Sequence, residues 1–222
     1  MKIPPICCVI TRLPQAETLK KSEGAAFYEL RLDLLGENWR ETAVLLNKPF
    51  MATCRRSAEG GSFKGNEAER INRLEKAASA GAFMLDIEYS TPNLEEVLGR
   101  LRPQAKCLLS HHNFTDTPSA AKLKTLLKDM LTHQADIYKV ITTATSINDN
   151  INLLNLTKEI PDKKIVAFAM GEPGILSRIL CPLAGSPFTY ASLNDGNKSA
   201  SGQMTLAQMI EIYRSVNYAN HT

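Results

Sequence analysis

Eight short runs of β-branched and apolar residues recur along this chain, and longer stretches with helical spacing separate most of them. The runs are Ile6–Thr11, Phe27–Asp33, Phe50–Cys54, Phe83–Tyr89, Cys107–His111, Ile137–Thr142, Ile165–Met170 and Phe188–Ser192. The helical stretches are Glu37–Leu46, Glu67–Ala80, Leu94–Leu101, Ala120–Leu131, Ile147–Ile160, Gly174–Leu180 and Leu206–Val216. In the second of these, Ile71, Leu74, Ala77 and Ala78 fall on one face. Strands that alternate with helices run parallel, because each helix carries the chain back to the start of the next strand. Eight such units predict an α/β fold, a (β/α)8 TIM barrel, compact at 222 residues. A doubly wound open sheet is the alternative, but no GxGxxG follows the first strand. No linker or shift in composition divides residues 1–222, which read as one catalytic barrel domain.

Composition removes several classes of function. The net charge is +3, from 26 basic and 23 acidic residues, too balanced to point to nucleic acid. Lys122, Lys124 and Lys128 read as the wet face of a helix. No apolar stretch approaches the ~20 residues of a membrane span, and Met1–Arg12 lacks the core of a signal peptide. The five cysteines are odd in number and form no CxxC. Cys7, Cys8 and Cys107 lie in apolar runs. They read as reduced core residues of a cytoplasmic protein.

Charged residues interrupt the apolar runs. Lys139 stands inside Ile137-Tyr138-Lys139-Val140-Ile141. Lysine is seldom buried unless it is paired or functional, and a buried amine can attack a carbonyl to form a Schiff base. An edge lysine with its amine in water is the plain alternative. Residues two apart share a strand face, so Glu29, Arg31 and Asp33 point together, away from Tyr28, Leu30 and Leu32. Asp86 and Glu88 repeat the pattern. Arg55 ends the third run, and His111 and His112 end the fifth. In a barrel all of these converge near the C-terminal mouth of the strands, where active sites form. An internal ion-pair network would explain one or two such charges better than six or seven.

The chain resembles the type I 3-dehydroquinate dehydratase family along nearly its whole length. The resemblance rests on Glu29-Leu30-Arg31-Leu32-Asp33, Arg55 to Glu59 with Gly60-Gly61, Asp86-Ile87-Glu88, Ser110-His111-His112-Asn113-Phe114, Lys139, Met170-Gly171 through Ser177-Arg178, and Ser199 to Gln203. It implies a carbon–oxygen lyase that dehydrates 3-dehydroquinate to 3-dehydroshikimate in aromatic amino-acid biosynthesis. Lys139 would form the iminium at C3. His112 would take the C2 proton and protonate the leaving C1 hydroxyl, since imidazole titrates near neutrality. Position alone leaves His111 and His112 open as the base; the family motif selects His112. Glu59 would orient it. Arg178 would hold the substrate carboxylate, its planar fork suiting that group. Glu29, Arg31 and Arg55 would hold hydroxyls. Ser199 and Gln203 would belong to a closing lid over residues 195–203. The chain departs from the family at Ser201, often proline there, and at Val9, where some members carry a polar contact.

No metal or cofactor is expected, since the iminium is itself the electron sink. His111, His112, His133 and His221 show no HExxH or zinc spacing. Met51, Met84 and Met170 read as core fillers. Another Schiff-base barrel enzyme of the class I aldolase type, or a non-catalytic binding protein on the same barrel, are the competing functions. A homodimer is expected from the resemblance alone. The tail from Ile212 to Thr222 looks like the junction at which some members continue into a shikimate dehydrogenase domain.

Overall fold

The computed structural model describes residues 3–20 and 22–216. Among these, eight strands form one sheet: β1 (Ile6–Ile10), β2 (Phe27–Arg31), β3 (Phe50–Thr53), β4 (Met84–Glu88), β5 (Lys106–His112), β6 (Ile137–Thr143), β7 (Ile165–Met170) and β8 (Thr189–Ser192). Their order is β7-β6-β5-β4-β3-β2-β1-β8, and every adjacent pair is parallel. The helices are α1 (Ala16–Lys20), α2 (Leu32–Leu35), α3 (Trp39–Leu45), α4 (Glu67–Ser79), α5 (Leu94–Leu101), α6 (Ala120–Met130), α7 (Asp149–Leu156), α8 (Ile175–Ala184) and α9 (Leu206–Ser215). This is the predicted (β/α)8 architecture, a barrel closed but for one seam.

The seam lies between β7 and β8, which share no ladder. An open strand edge needs partners for its N–H groups. Here α8 and the turn after it supply them: Ala169 N–H donates to Ser177 Oγ at 2.9 Å and Ala167 N–H to Ser186 Oγ at 3.4 Å. Phe168 and Tyr190 bridge the gap inside, ring centroids 5.9 Å apart.

Alternation along the strands sorts the core into two layers. Tyr28, Leu30, Leu85, Ile87, Leu109, Val140 and Ala167 face the helices and pack with Ile71, Leu74, Leu98, Leu123 and Leu153. Cys7, Met51, Met84, Leu108, Ile137, Val166 and Phe188 fill the barrel interior. Phe27 stands edge-on to Phe83 and Phe188, with centroids at 5.3 and 4.9 Å. All five cysteines are buried free thiols. Lys122, Lys124 and Lys128 lie on the exposed side of α6, as their spacing predicted.

Local signals set several boundaries. Asn66 and Glu69 form a capping box at the start of α4, and Thr205 and Gln208 form one at the start of α9. The second run does not continue as strand to Asp33. The chain turns helical at Leu32, because Leu32 and Leu35 are buried together and a strand would separate them. The stretch expected over Ile147–Ile160 is shorter, α7, and the one expected over Gly174–Leu180 runs on to Ala184 as α8. The end of the tail, from 217 to 222, lies outside the described residues, and so does His221. No described helix is long and apolar enough to cross a membrane.

Candidate active site

Above the apolar floor, the inward positions of the strands become polar and surround a cavity of about 310 Å³ at the C-terminal end of the barrel. Glu29, Arg31, Arg55, Glu59, His112, Lys139, Arg178, Ser199 and Gln203 all line it. The structure therefore brings all nine residues to which the resemblance gave a role to one cavity. Of the two histidines, only His112 reaches it. His111 is one residue earlier on β5, and strand alternation turns it to the other face.

Asp86 is the electrostatic hub, although sequence reasoning gave it no role beyond its place among the charges. Its carboxylate accepts from Lys139 Nζ at 2.5 Å, from Arg55 Nη2 at 2.7 Å and from Ser110 Oγ at 2.6 Å. Arg55 Nη1 in turn donates to Ser110 Oγ at 2.8 Å. Burial alone would raise the Asp86 carboxyl, but the Arg55 and Lys139 cations outweigh it and hold the group far below the usual carboxylate range. The same pairing answers how a lysine only 4% exposed keeps its charge satisfied. Lys139 Nζ also lies 5.0 Å from the centroid of the Tyr190 ring.

His112 Nδ1 is 3.2 Å from Glu59 Oε2. An ionised carboxylate only accepts, so Nδ1 carries the proton and Nε2 keeps its lone pair. Burial, with the Arg55 and Lys139 charges added, pushes the imidazole well below its ordinary titration range. Burial raises the Glu59 carboxyl, and Glu88 adds to this, while Ser90 and Arg55 oppose it. Glu59 is fixed from behind: its Oε1 accepts from Ser90 Oγ, which also receives Arg56 Nη2. Arg56 is clamped by Glu88, through its backbone N–H at 2.8 Å and through its guanidinium.

Arg31 and Asp33 keep their partnership although Asp33 left the strand. The guanidinium donates to the carboxylate at 3.0 and 2.8 Å, and Ser62 N–H adds a third bond at 3.0 Å. Burial alone would raise Asp33; these bonds win and lower it. Glu29 accepts from Thr53 Oγ1 at 2.6 Å. Thr53 stands two residues before Arg55, so strand parity could have identified it. Tyr190 on β8 was open to the same argument. Arg56 and Ser90 were not, since their contacts depend on loops.

Arg178 reaches the cavity from α8. Pro182 has no N–H to offer its helical partner four residues back, which is the Arg178 carbonyl. Thr189 Oγ1 takes that carbonyl instead, at 2.6 Å, and ties the helix turn to β8. The guanidinium lies 4.4 Å above the Phe168 ring, and its Nε and Nη2 are buried without an acceptor among the described residues. Burial lowers it to about 10. A buried cation with free donors is suited to an anion, and a carboxylate matches its planar fork.

The loop after β8 closes one side. Ser199 N–H and Oγ both donate to Gln203 Oε1, at 2.7 and 3.2 Å. Gly171 N–H donates to Ser201 O at 3.2 Å, and Gly202 has φ +70°. A Cβ on Gly202 would stand 2.4 Å from Gly171 O, so only glycine permits this approach. Met51, Met84 and Met170 are buried, and Met170 lines the cavity. Val9 presents an apolar wall there. Among the described residues, no group of three or more His, Cys, Asp or Glu side chains could hold a metal ion.

The sequence matches the profile of the type I 3-dehydroquinase family over residues 7–219. The chain belongs to the type I 3-dehydroquinase family. It is an enzyme of the hydro-lyase class, as the motifs implied. Over all 222 residues it is 84% identical to a 3-dehydroquinate dehydratase of Dehalococcoides mccartyi, covering 100% of both chains. The fold is that of the type I 3-dehydroquinate dehydratase of Clostridium difficile carrying covalently modified comenic acid. The TM-score is 0.81 at 21% identity, over 97% of this chain and 93% of that one. The 3-dehydroquinate dehydratase of Aquifex aeolicus superposes with TM-score 0.79 at 25% identity, over 97% and 100% of the two chains.

Proposed function

We propose that this protein dehydrates 3-dehydroquinate to 3-dehydroshikimate through a Schiff base on Lys139, within the shikimate pathway. The observation that carries the mechanism is one buried lysine paired to Asp86, in the same cavity as a histidine held by Glu59 and an arginine whose Nε and Nη2 find no acceptor among the described residues. Arg178 takes the substrate carboxylate. This orients the ring so that C3 faces Lys139 Nζ. The amine adds to the C3 ketone, and loss of water leaves an iminium. Asp86 stays beside the nitrogen and stabilises its positive charge. The iminium draws electrons from C2, so His112 Nε2 can remove the C2 proton. The resulting enamine expels the C1 hydroxyl, which leaves as water with the proton that His112 returns. Hydrolysis of the iminium frees the product and the lysine.

A depressed imidazole suits the first proton transfer, since His112 is neutral at physiological pH and accepts at once. Glu59 compensates the imidazolium that follows. Glu29, Arg31 and Arg55 hold substrate hydroxyls, and the Ser199–Gln203 loop keeps water from the iminium. The five buried thiols suit a reducing cytoplasm.

The test is borohydride reduction with substrate present, followed by mass spectrometry, beside an ultraviolet assay for the conjugated product. One adduct on the peptide containing Lys139, absent in Lys139→Ala, is expected. An adduct on Lys106 or Lys164, or turnover surviving in Lys139→Ala, refutes the mechanism.

A further inference from the structure

Phe114 lies just beyond β5 and is 49% exposed, a wet position for a phenyl ring. Two contacts account for it. Its ring lies within 20° of parallel to the His112 imidazole, with centroids 6.1 Å apart. It also covers Gly60, where a Cβ would stand 2.3 Å from Phe114 Cζ. Gly60 follows Glu59 and has φ +72°, so glycine is required there by both the backbone and the ring. The ring thus reaches from the strand that carries His112 to the turn that carries Glu59. It lines the cavity where those two side chains, each 10% exposed, come closest to water.

We propose that Phe114 is a positioning residue, a shield that holds the His112 ring against Glu59 and keeps bulk water from the pair. This rests on the role proposed above for His112. A ring beside an imidazole has two opposed electrical effects. Its face attracts an imidazolium, while the water it excludes is lost to the imidazolium. Attraction to a ring face extends to ~6 Å. At 6.1 Å the first effect is nearly spent, so exclusion of water dominates. The charged and titratable groups around His112 are Glu59 from the turn after β3, Arg55 just past β3, Asp86 on β4 and Lys139 on β6, with His111 next to it on β5 but turned to the other face. Arg55, Lys139 and His111 disfavour the imidazolium, as the shield does, and Asp86 favours it.

The experiment follows the His112 imidazole by NMR through a pH titration of the whole protein, beside the pH profile of kcat/KM for 3-dehydroquinate. Phe114→Ala should move the His112 midpoint upward by roughly half a pH unit, about threefold in proton affinity, and carry the acid limb of kcat/KM with it. Phe114→Leu covers the pair without a π face and should keep the wild-type midpoint. Half-exposed Phe114 lies outside the core, so both variants should fold. An unmoved midpoint in Phe114→Ala, or a midpoint in Phe114→Leu displaced as far as in Phe114→Ala, overturns the proposal. A shifted NMR midpoint with an unshifted kinetic limb upholds the shield and removes His112 as the base.

Discussion

Arg178→Met should make the ligand-free protein more stable while abolishing useful binding. Arg178 is 2% exposed, and two of its donors meet no acceptor among the described residues. Each such donor costs ~1–3 kcal/mol, so the pair costs ~2–6 kcal/mol. The contact with Phe168 at 4.4 Å offsets ~2 kcal/mol of this. Methionine fills much the same volume and needs no acceptor. The balance favours it by ~0–4 kcal/mol, in the range found when buried ionic groups are replaced by apolar ones. In a chain of this length 1 kcal/mol moves Tm by ~2–4 °C, so a rise of up to ~16 °C is expected. Arg178→Lys keeps a charge but loses the fork. One charge-assisted bond of ~1.5–3 kcal/mol should then be missing, an increase in KM of ~10–150-fold. Thermal unfolding with and without 3-dehydroshikimate is the assay. Wild type should gain Tm with the product, and Arg178→Met should start higher and gain nothing. A methionine variant that melts several degrees below wild type, or that retains the wild-type KM, refutes the reasoning.

Three further outcomes are expected. His112→Ala should lower kcat by ~10²–10⁴-fold or more, since two proton transfers depend on it, whereas His111→Ala should stay within a few-fold; steady-state kinetics on both variants decides, and the reverse ranking would reassign the base. Stability should fall as pH drops below ~6.5, because His112 binds a proton less readily folded than unfolded, so the unfolded chain takes up more protons in that window. Urea midpoints of wild type and His112→Gln between pH 7 and 5 measure this, and parallel slopes would show that His112 does not contribute. Gly202→Ala should raise KM and shorten the life of the iminium, because its methyl would strike Gly171 O and drive the Ser199–Gln203 loop outward; hydrogen exchange over residues 195–203 with and without product should show protection gained in wild type and little in the variant.

Most of the barrel was legible because its signals are local. Eight period-two strands and seven period-3.6 helical stretches follow one another along the chain, and the strand faces follow from parity alone. Parity also placed Glu29, Arg31, Asp86 and Lys139 inside. It failed where packing overrode the local pattern. Phe27–Asp33 alternates like a strand, yet Leu32 and Leu35 find more burial in a helical turn.

The sequence by itself determined the strand count, the inward charges and the family. Tertiary structure alone decided who pairs with whom. Asp86 became the partner of Lys139 and Arg55 because β3, β4, β5 and β6 curve into one barrel, which brings residues 31 to 53 positions apart within hydrogen-bond reach. Ser90 came to Glu59 through two loops that meet only after the strands pair. Arg178 Nε and Nη2 were left without an acceptor among the described residues because α8 buries them against Phe168 on the seam strand. Electrostatic energies depend on distance and solvent exposure. Both are properties of the folded chain, which its order of residues does not disclose.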